Sequence, residues 1–257
     1  MMGGMAVHDA ARGFERAADA YERGRPEYPR AAIDLLVRAL GLSPGERILD
    51  LGAGTGKLAR ALAARGLQVV ALEPADAMIR KLAGVERVLP VRAVAEALPV
   101  CAEAVGAVTA ASAFHWFDGP RALRELHRVL RPRGGVALAW NRRDDDVPWV
   151  ARLSEIVNRS EAGAPRYRSG AWRRAFDEAP GLFGLVEEAH FRHEHRLPPE
   201  GLVDRVASIS FVARSVPAER EAILAEVRAL LASHPDTAGR AEVELAYTAD
   251  LFVYERG

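Results

Sequence analysis

Three glycines and one carboxylate lie close together in the segment ILDLGAGTGKL, residues 48–58. Glycines at this spacing after an apolar run are typical of a strand-to-helix turn whose backbone contacts a nucleotide. A Walker-type phosphate loop would need glycine at the position of Leu51, and the dinucleotide pattern GxGxxG would need glycine at the position of Lys57. The turn is therefore predicted to bind a nucleotide-like ligand that does not present a diphosphate to it.

The charge of Asp50 discriminates between the ligands that remain possible. Asp50 ends the predicted strand two residues before Gly52, where a diphosphate would approach, and the two negative charges would repel each other unless a cation intervened. S-adenosylmethionine (SAM) carries an ammonium and a sulfonium group, which a carboxylate attracts. The glycines would let the backbone approach the methionine end of SAM closely.

A second carboxylate follows the next apolar run. Glu73 comes directly after LQVVAL (67–72) and 21 residues after Gly52. An acidic side chain at the end of a second strand can accept hydrogen bonds from the ribose hydroxyls of an adenosine ligand. Pro74 and Met78 would then flank the adenine ring.

His115, in the segment SAFHWFD (112–118), is the candidate catalytic residue. It follows the predicted fourth strand, at the edge where open parallel sheets bind ligands, and a histidine there could remove a proton from an acceptor. A histidine that packs or hydrogen-bonds beside the cofactor fits the sequence slightly better. The aromatic residues that either wall a substrate pocket or, more commonly, pack in the core are Trp116, Phe117, Trp140 and Trp149.

No metal site is predicted. RRDDD (142–146) is interpreted as a solvated loop with a helix N-cap, because no histidine or further carboxylate stands nearby to complete a ligand set. The three histidines of HFRHEHR (190–196) cannot all share one face of a strand. The single cysteine, Cys101, excludes an intrachain disulfide and a cysteine-based metal cluster.

Alternating strands and helices must position these residues. Apolar runs predict strands at 47–51, 67–72, 87–93, 104–111, 136–140, 183–197 and 243–253. Helical spacing of apolar residues predicts helices at 9–21, 33–40, 57–65, 76–83, 119–131, from Asp146 and Pro148 onward, and at 170–178, 199–213 and 217–233. This alternation implies a parallel sheet with helices on both faces.

Composition limits the classes of partner. The chain has 257 residues, of which 49% are hydrophobic, and 35 basic side chains balance 35 acidic ones. A net charge of zero argues against nucleic acid or an anionic membrane as a partner. No segment approaches the ~18 uninterrupted apolar residues of a membrane span. We expect a cytoplasmic protein, monomeric or homodimeric, that acts on a small molecule.

Further motifs extend the pattern beyond the glycine turn. ALEPADAM (71–78), VAEALP (94–99), AFHWFD (113–118) and LRPRGG (130–135) follow it in order. Together they resemble class I SAM-dependent methyltransferases, and more narrowly the methyltransferase type 11 group of bacterial small-molecule enzymes. AADAYERGRPEYP and AWNRRD extend the likeness over most of the chain. The resemblance implies a Rossmann-like α/β fold with a seven-stranded, mostly parallel sheet in the order 3-2-1-4-5-7-6, strand 7 being antiparallel.

The resemblance also implies which residues bind SAM. The implied contacts are with the methionine moiety (Gly52, Ala53, Gly54), the ribose (Glu73), the adenine edge (Ala95, Glu96), the end of strand four (Ser112, Ala113) and an N-terminal lid (Tyr21, Arg25). Arg25 would pair with the SAM carboxylate. Asp50, Thr55, Pro74 and Met78 complete the predicted cofactor-binding set.

We therefore predict transfer of a methyl group from SAM to an oxygen or nitrogen atom of a small molecule, with S-adenosylhomocysteine as the product. A single domain is predicted, divided into a lid (1–30), a SAM-binding core (31–140), cap insertions (141–181 and 199–235) and last strands (183–197 and 243–254). Two other functions stay open: a SAM-binding protein that transfers no methyl group, and an NAD(P)-dependent oxidoreductase, against which the glycine spacing and Asp50 argue.

Overall fold

The computed structural model describes residues 22, 24–159 and 165–257. The predicted helix at 9–21, and with it Tyr21, lies outside the described residues. Within them, seven strands form one sheet in the order β3-β2-β1-β4-β5-β7-β6. The strands are β1 Arg47–Leu51, β2 Gln68–Leu72, β3 Val88–Val91, β4 Val105–Ala111, β5 Leu130–Arg143, β6 Phe183–Leu197 and β7 Val243–Arg256.

Strand direction follows the predicted pattern. β3, β2, β1, β4 and β5 run parallel to one another, whereas β7 pairs antiparallel with both β5 and β6. The central strands are buried on both faces, which explains why their sequences are almost continuously apolar. The predicted fold and strand order are confirmed.

The helices cover both faces of the sheet and begin where the sequence provides start signals. Asp118, for example, accepts a hydrogen bond from the Arg121 backbone N–H at 3.3 Å, and Pro120 lies in the first turn of the helix that follows. The α-helices are α1 Arg30–Ala39, α2 Lys57–Ala63, α3 Asp76–Ile79, α4 Gly119–Val129, α5 Pro148–Asn158, α6 Arg174–Asp177, α7 Pro199–Ala207, α8 Ser210–Arg214 and α9 Pro217–Ser233.

β5 is longer than the sequence predicts. Its pairing with β7 runs from Gly135 opposite Glu255 to Arg143 opposite Tyr247, so the strand continues past Trp140. Arg142 and Arg143 therefore belong to the strand, and the interpretation of 142–146 as one solvated loop is wrong. The predicted acidic N-cap is also wrong, because α5 is preceded by Val147 and has no side-chain cap.

Two predicted helices are broken. The segment 199–213 forms α7 and α8, because Ile209 adopts an extended backbone and the Ser208 hydroxyl donates to the Arg205 carbonyl at 2.8 Å. The segment 170–178 starts with a 3₁₀ turn, Ala171–Arg173, after the left-handed Gly170 and only then becomes α6. None of the helices in the described part of the chain is long and apolar enough to cross a membrane.

Candidate active site

The glycine turn after β1 has a backbone that only glycine adopts easily. Gly52, Gly54 and Gly56 have φ values of 59°, 58° and 86°, all in the left-handed region. A Cβ added to Gly52 would lie 2.6 Å from the Ala113 Cβ, and one added to Gly56 would overlap the Leu82 side chain. The turn therefore packs closely against the end of β4 and needs glycine for both conformation and space.

Glu73 fixes this turn from the end of β2. Its carboxylate accepts hydrogen bonds from the Gly54 backbone N–H at 3.0 Å and the Ala75 backbone N–H at 2.9 Å, one on each oxygen. Burial raises the pKa of Glu73. Since a carboxylate oxygen can accept more than one hydrogen bond, both oxygens retain capacity for ligand hydroxyls.

The first of two neighbouring cavities lies over the glycine turn, and we call it the glycine-turn cavity. Its volume is about 40 Å³. The Thr55 hydroxyl is buried without a hydrogen-bond partner among the described residues. The cavity is lined by Arg25, Pro26, Tyr28, Gly52, Ala53, Thr55, Lys57, Leu58, Ala111, Ser112, Asn141 and Arg205.

The second cavity has a volume of about 200 Å³, and we call it the arginine cavity. Six of its lining residues are arginines and one, Asp145, is acidic. Its walls come from the end of β5, the start of β7, the segment after β4, residues 166–168 and the helices α5, α7 and α8. It is lined by Arg25, Ser112, His115, Trp116, Trp140, Asn141, Arg142, Arg143, Asp145, Ser154, Asn158, Arg166, Tyr167, Arg168, Arg205, Ile209, Ser210 and Tyr247.

Four residues line both cavities: Arg25, Ser112, Asn141 and Arg205. Ser112 has a φ of 51°, unusual for a residue with a side chain, and its hydroxyl bonds the Tyr28 hydroxyl at 3.1 Å. Asn141 is fixed by the His193 imidazole, with 3.0 Å between Nε2 and the Asn141 amide oxygen. A group that passed between the two cavities would cross this shared wall.

The predicted cofactor residues divide into two groups. Arg25, Gly52, Ala53, Thr55 and Ser112 line the glycine-turn cavity. The others lie around the turn without lining either cavity, namely Asp50, Gly54, Glu73, Pro74, Met78, Ala95, Glu96 and Ala113. Of these, Glu96 accepts a hydrogen bond from the Asp118 backbone N–H at 2.8 Å.

Asp50 lies beneath the turn rather than at its surface. It is 1% exposed and accepts a hydrogen bond from the Thr109 hydroxyl of β4 at 2.7 Å. Burial, reinforced by the nearby Glu73 carboxylate, raises the pKa of Asp50 to about 7. Asp50 therefore supports the turn from beneath and lines neither cavity.

His115 lines the arginine cavity in a defined tautomer. The Trp140 indole N–H donates to His115 Nδ1 at 3.0 Å. An indole nitrogen only donates, so Nδ1 carries no proton and the neutral ring has its hydrogen on Nε2. Burial and the positive charges of Arg166 and Arg25 lower the pKa of His115 to about 3. The sequence left two roles open for His115, and these contacts favour the hydrogen-bonding role over the role of a base.

The aromatic residues divide between pocket and core. Trp116 and Trp140 line the arginine cavity, where Trp140 stacks on Tyr167 with 4.6 Å between ring centroids. Trp149 is buried in a separate cluster that α5 forms with α7, α8 and α9. The described residues contain no group of three or more histidine, cysteine or acidic side chains that could hold a metal ion.

The chain resembles known proteins over nearly its whole length. A family model described as a methyltransferase domain matches residues 49–138. The uncharacterized methyltransferase Mb3374 of Mycobacterium bovis is 40% identical over 240 residues, 93% of each chain. The methyltransferase-like protein C25B8.10 of Schizosaccharomyces pombe is 33% identical over 92% of each chain. This chain belongs to the methyltransferase family.

A solved structure agrees with this assignment. A proposed type II methyltransferase from Anaeromyxobacter dehalogenans superposes with a TM-score of 0.66 at 27% identity, covering 90% of this chain and 97% of that one. The protein is thus an enzyme of the SAM-dependent methyltransferase class. The glycine turn suits the methionine end of such a cofactor, since a side chain at position 52 would collide with Ala113 and the buried Thr55 hydroxyl has no partner among the described residues.

Sequence reasoning missed several residues at the two cavities. Asn141, Arg143 and Arg205 line the cavities, and Tyr28 contacts Ser112. Tyr28 and Asn141 lie in the motifs RGRPEYP and AWNRRD, so proximity to a motif was a usable signal. Arg205 gave no signal, because an arginine in an amphipathic helix usually lies on the solvent face.

Proposed function

We propose that this methyltransferase transfers a methyl group from SAM to an oxygen or nitrogen atom of a small molecule. The observation that carries the proposal is the wall shared by the two cavities. The methionine end of a cofactor in the glycine-turn cavity and an acceptor in the arginine cavity would meet beside Ser112 and Asn141. An in-line displacement at carbon requires this kind of face-to-face placement.

The residues around the glycine turn would hold the cofactor as the sequence predicts. Gly52, Ala53 and Thr55 would contact its methionine part, and Arg25 would pair with its carboxylate. Glu73 would accept hydrogen bonds from the ribose. The adenine would lie toward Pro74, Met78, Ala95 and Glu96. Bound SAM supplies a methyl group activated by a sulfonium leaving group.

The chain mainly has to align the acceptor and exclude water. His115 would donate its Nε2 hydrogen to a lone pair of the acceptor molecule other than the one that attacks the methyl carbon, since Nδ1 is engaged by Trp140. A ring with a pKa of about 3 does not take up a proton at neutral pH. We therefore infer an acceptor whose reacting atom already has a free lone pair, such as a carboxylate oxygen or an unprotonated amine.

Calorimetry with SAM, S-adenosylhomocysteine and NADP tests the cofactor. We expect both sulfur ligands to bind at one site per chain and NADP to give no heat. Binding of NADP alone would identify an oxidoreductase and refute the proposal. S-adenosylhomocysteine binding without its release from SAM in the presence of any acceptor would instead identify a SAM-binding protein without methyl transfer.

A further inference from the structure

The arginine cavity concentrates positive charge in a protein whose net charge is zero. Its six arginines, Arg25, Arg142, Arg143, Arg166, Arg168 and Arg205, stand against the single carboxylate of Asp145 among the lining residues. Arg142 is neutralised by an ion pair with Asp250 at 2.9 Å. Two others, Arg143 and Arg205, form no ion pair with a carboxylate of the described residues.

Arg143 reaches the cavity from the end of β5. Its guanidinium donates to the Ser154 hydroxyl at 2.7 Å and to the Asn158 amide oxygen at 3.3 Å, and both acceptors are neutral. No carboxylate among the described residues forms an ion pair with it. Burial lowers the pKa of Arg143 to about 10. The positive charges of Arg205 and Arg166 act in the same direction, whereas Tyr247 and Asp145 act against it.

Arg205 reaches the same cavity from α7. The residue is 5% exposed, and its Nε and Nη1 atoms are buried without a hydrogen-bond partner in the described part of the chain. The Tyr247 hydroxyl is likewise buried and unpartnered, and it also lines the cavity. Buried cationic donors without partners are strongly unfavourable, so an anion that satisfied them would bind with a large gain.

We propose that the acceptor is an anionic small molecule whose carboxylate or phosphate group binds between Arg143 and Arg205. The inference rests on the proposed function and names the substrate class of the same site. The anchoring group would accept hydrogen bonds from both guanidinium groups and from the Tyr247 hydroxyl. The remainder of the molecule would extend toward Ser112 and His115, where its reacting atom meets the methyl group.

The anchoring group is not consumed in the reaction. A lone pair on the acceptor oxygen or nitrogen forms the bond to the methyl carbon while the carbon–sulfur bond breaks. Sulfur keeps that electron pair, which gives S-adenosylhomocysteine and the methylated acceptor. Because the anion stays bound to the arginines, it fixes the distance from anchor to reacting atom.

The test uses the full chain saturated with S-adenosylhomocysteine and titrated, at constant ionic strength, with citrate, inorganic pyrophosphate or the uncharged triethyl citrate. We expect one anion site per chain and at least about tenfold weaker binding of the neutral ester. Tighter binding of citrate would indicate a carboxylate anchor, and tighter binding of pyrophosphate a phosphate anchor. Absence of anion binding, or equal binding of ester and citrate, would overturn the inference.

Arg143→Gln is the decisive variant, because Arg143 lines the arginine cavity and not the glycine-turn cavity. We expect anion binding to weaken about tenfold or more while affinity for S-adenosylhomocysteine stays within about threefold. Arg152→Gln removes the same charge from a surface ion pair with Glu155 on the same helix as Ser154, and should change neither affinity. Equal anion affinity in the two variants would contradict the proposal.

Two further measurements keep the outcomes separate. If Arg143→Gln does not fold, Arg143→Lys, which keeps the positive charge, takes its place. The citrate-to-ester comparison on the unmodified chain then decides the question. Failure of S-adenosylhomocysteine to bind the unmodified chain would refute the proposed function. Normal binding of S-adenosylhomocysteine without an anion site would refute the anionic acceptor alone.

Discussion

His115 is the side chain whose chemistry depends most on one hydrogen bond. Because Trp140 occupies Nδ1, the ring presents a donor at Nε2. The two possible roles of His115, general base and hydrogen-bond donor, predict different effects of substitution. A glutamine at this position can still donate a hydrogen bond but cannot act as a base, whereas phenylalanine can do neither.

We expect His115→Gln to keep most of the methyl-transfer rate and His115→Phe to lose at least about tenfold, because removing a preorganised hydrogen-bond donor typically lowers a rate by about a hundredfold or more. The rate of S-adenosylhomocysteine release under single-turnover conditions measures this. The ratio of unmodified to His115→Gln rates should also stay constant from about pH 6 to 9, since the ring does not titrate there. Equal, large losses in both variants would indicate that His115 acts as a general base.

Asp50 makes folding depend on pH. Its folded-state pKa of about 7 lies above its ordinary value of 3.8, so the folded chain holds a proton that the unfolded chain has released. The stability that this proton provides is complete below pH 3.8 and is lost as the pH rises through 7. Asp50→Asn mimics the protonated form and keeps an oxygen for the Thr109 hydroxyl.

We therefore expect Asp50→Asn to become progressively more stable than the unmodified protein between pH 4 and 7. The gain should be roughly 1 kcal/mol per pH unit, and it should level off above pH 7. Urea denaturation without cofactor at several pH values measures the difference. A difference that does not vary with pH would show that Asp50 is ionised in the folded protein throughout.

At the scale of elements, the glycine turn allows conformational strain and steric overlap to be separated. Gly41 and Gly52 have similar φ values of 62° and 59°, but only Gly52 has a neighbour within reach of an added Cβ, at 2.6 Å from Ala113. We expect Gly41→Ala to cost about 1 kcal/mol from the left-handed backbone alone. Gly52→Ala should cost a further 1–3 kcal/mol, because β4 must shift.

Chemical denaturation measures both costs, and calorimetry follows the cofactor. Gly41→Ala should bind S-adenosylhomocysteine normally, whereas Gly52→Ala should weaken binding because its methyl group forces the turn away from Ala113. Equal losses of stability in the two variants would mean that the turn can move aside without cost, and that glycine is needed at position 52 only for its backbone conformation.

Sequence patterns predicted the elements to different degrees for physical reasons. β1, β2 and β4 are buried on both faces, so their apolar runs mark them plainly. The last three residues of β5 were missed because Asn141, Arg142 and Arg143 are polar, and only pairing with the distant β7 keeps them in a strand. Local sequence does not encode a partner more than a hundred residues away.

At the scale of the whole molecule, the site also divides into a part that the sequence predicted and a part that it did not. The matched family model covers residues 49–138, which contain the glycine turn, Glu73 and His115. Most residues of the arginine cavity lie after position 138, on β5, β7 and the helices between them. Cofactor binding uses a fixed ligand and therefore recurring motifs. The cavity proposed for the acceptor could not be predicted from the sequence, because its residues come together only through tertiary contacts.

β7 joins the two halves of the molecule. Val243, Leu245 and Tyr247 at its start pack in the cluster formed by α5, α7, α8 and α9. Phe252 and Tyr254 farther along pack with β4, β5 and α4 in the core of the sheet. Neither cluster can open fully without exposing part of this strand, so the predicted single domain should unfold as one unit.

Differential scanning calorimetry tests this with and without S-adenosylhomocysteine. At a concentration of 100 times its Kd the ligand should add about 2.7 kcal/mol of stability, because it binds only the folded chain. For a domain of this size that is a rise of several degrees in Tm. We expect one transition that moves as a whole. Two transitions, of which only one moved, would show that the helical cluster unfolds independently of the sheet that holds the cofactor.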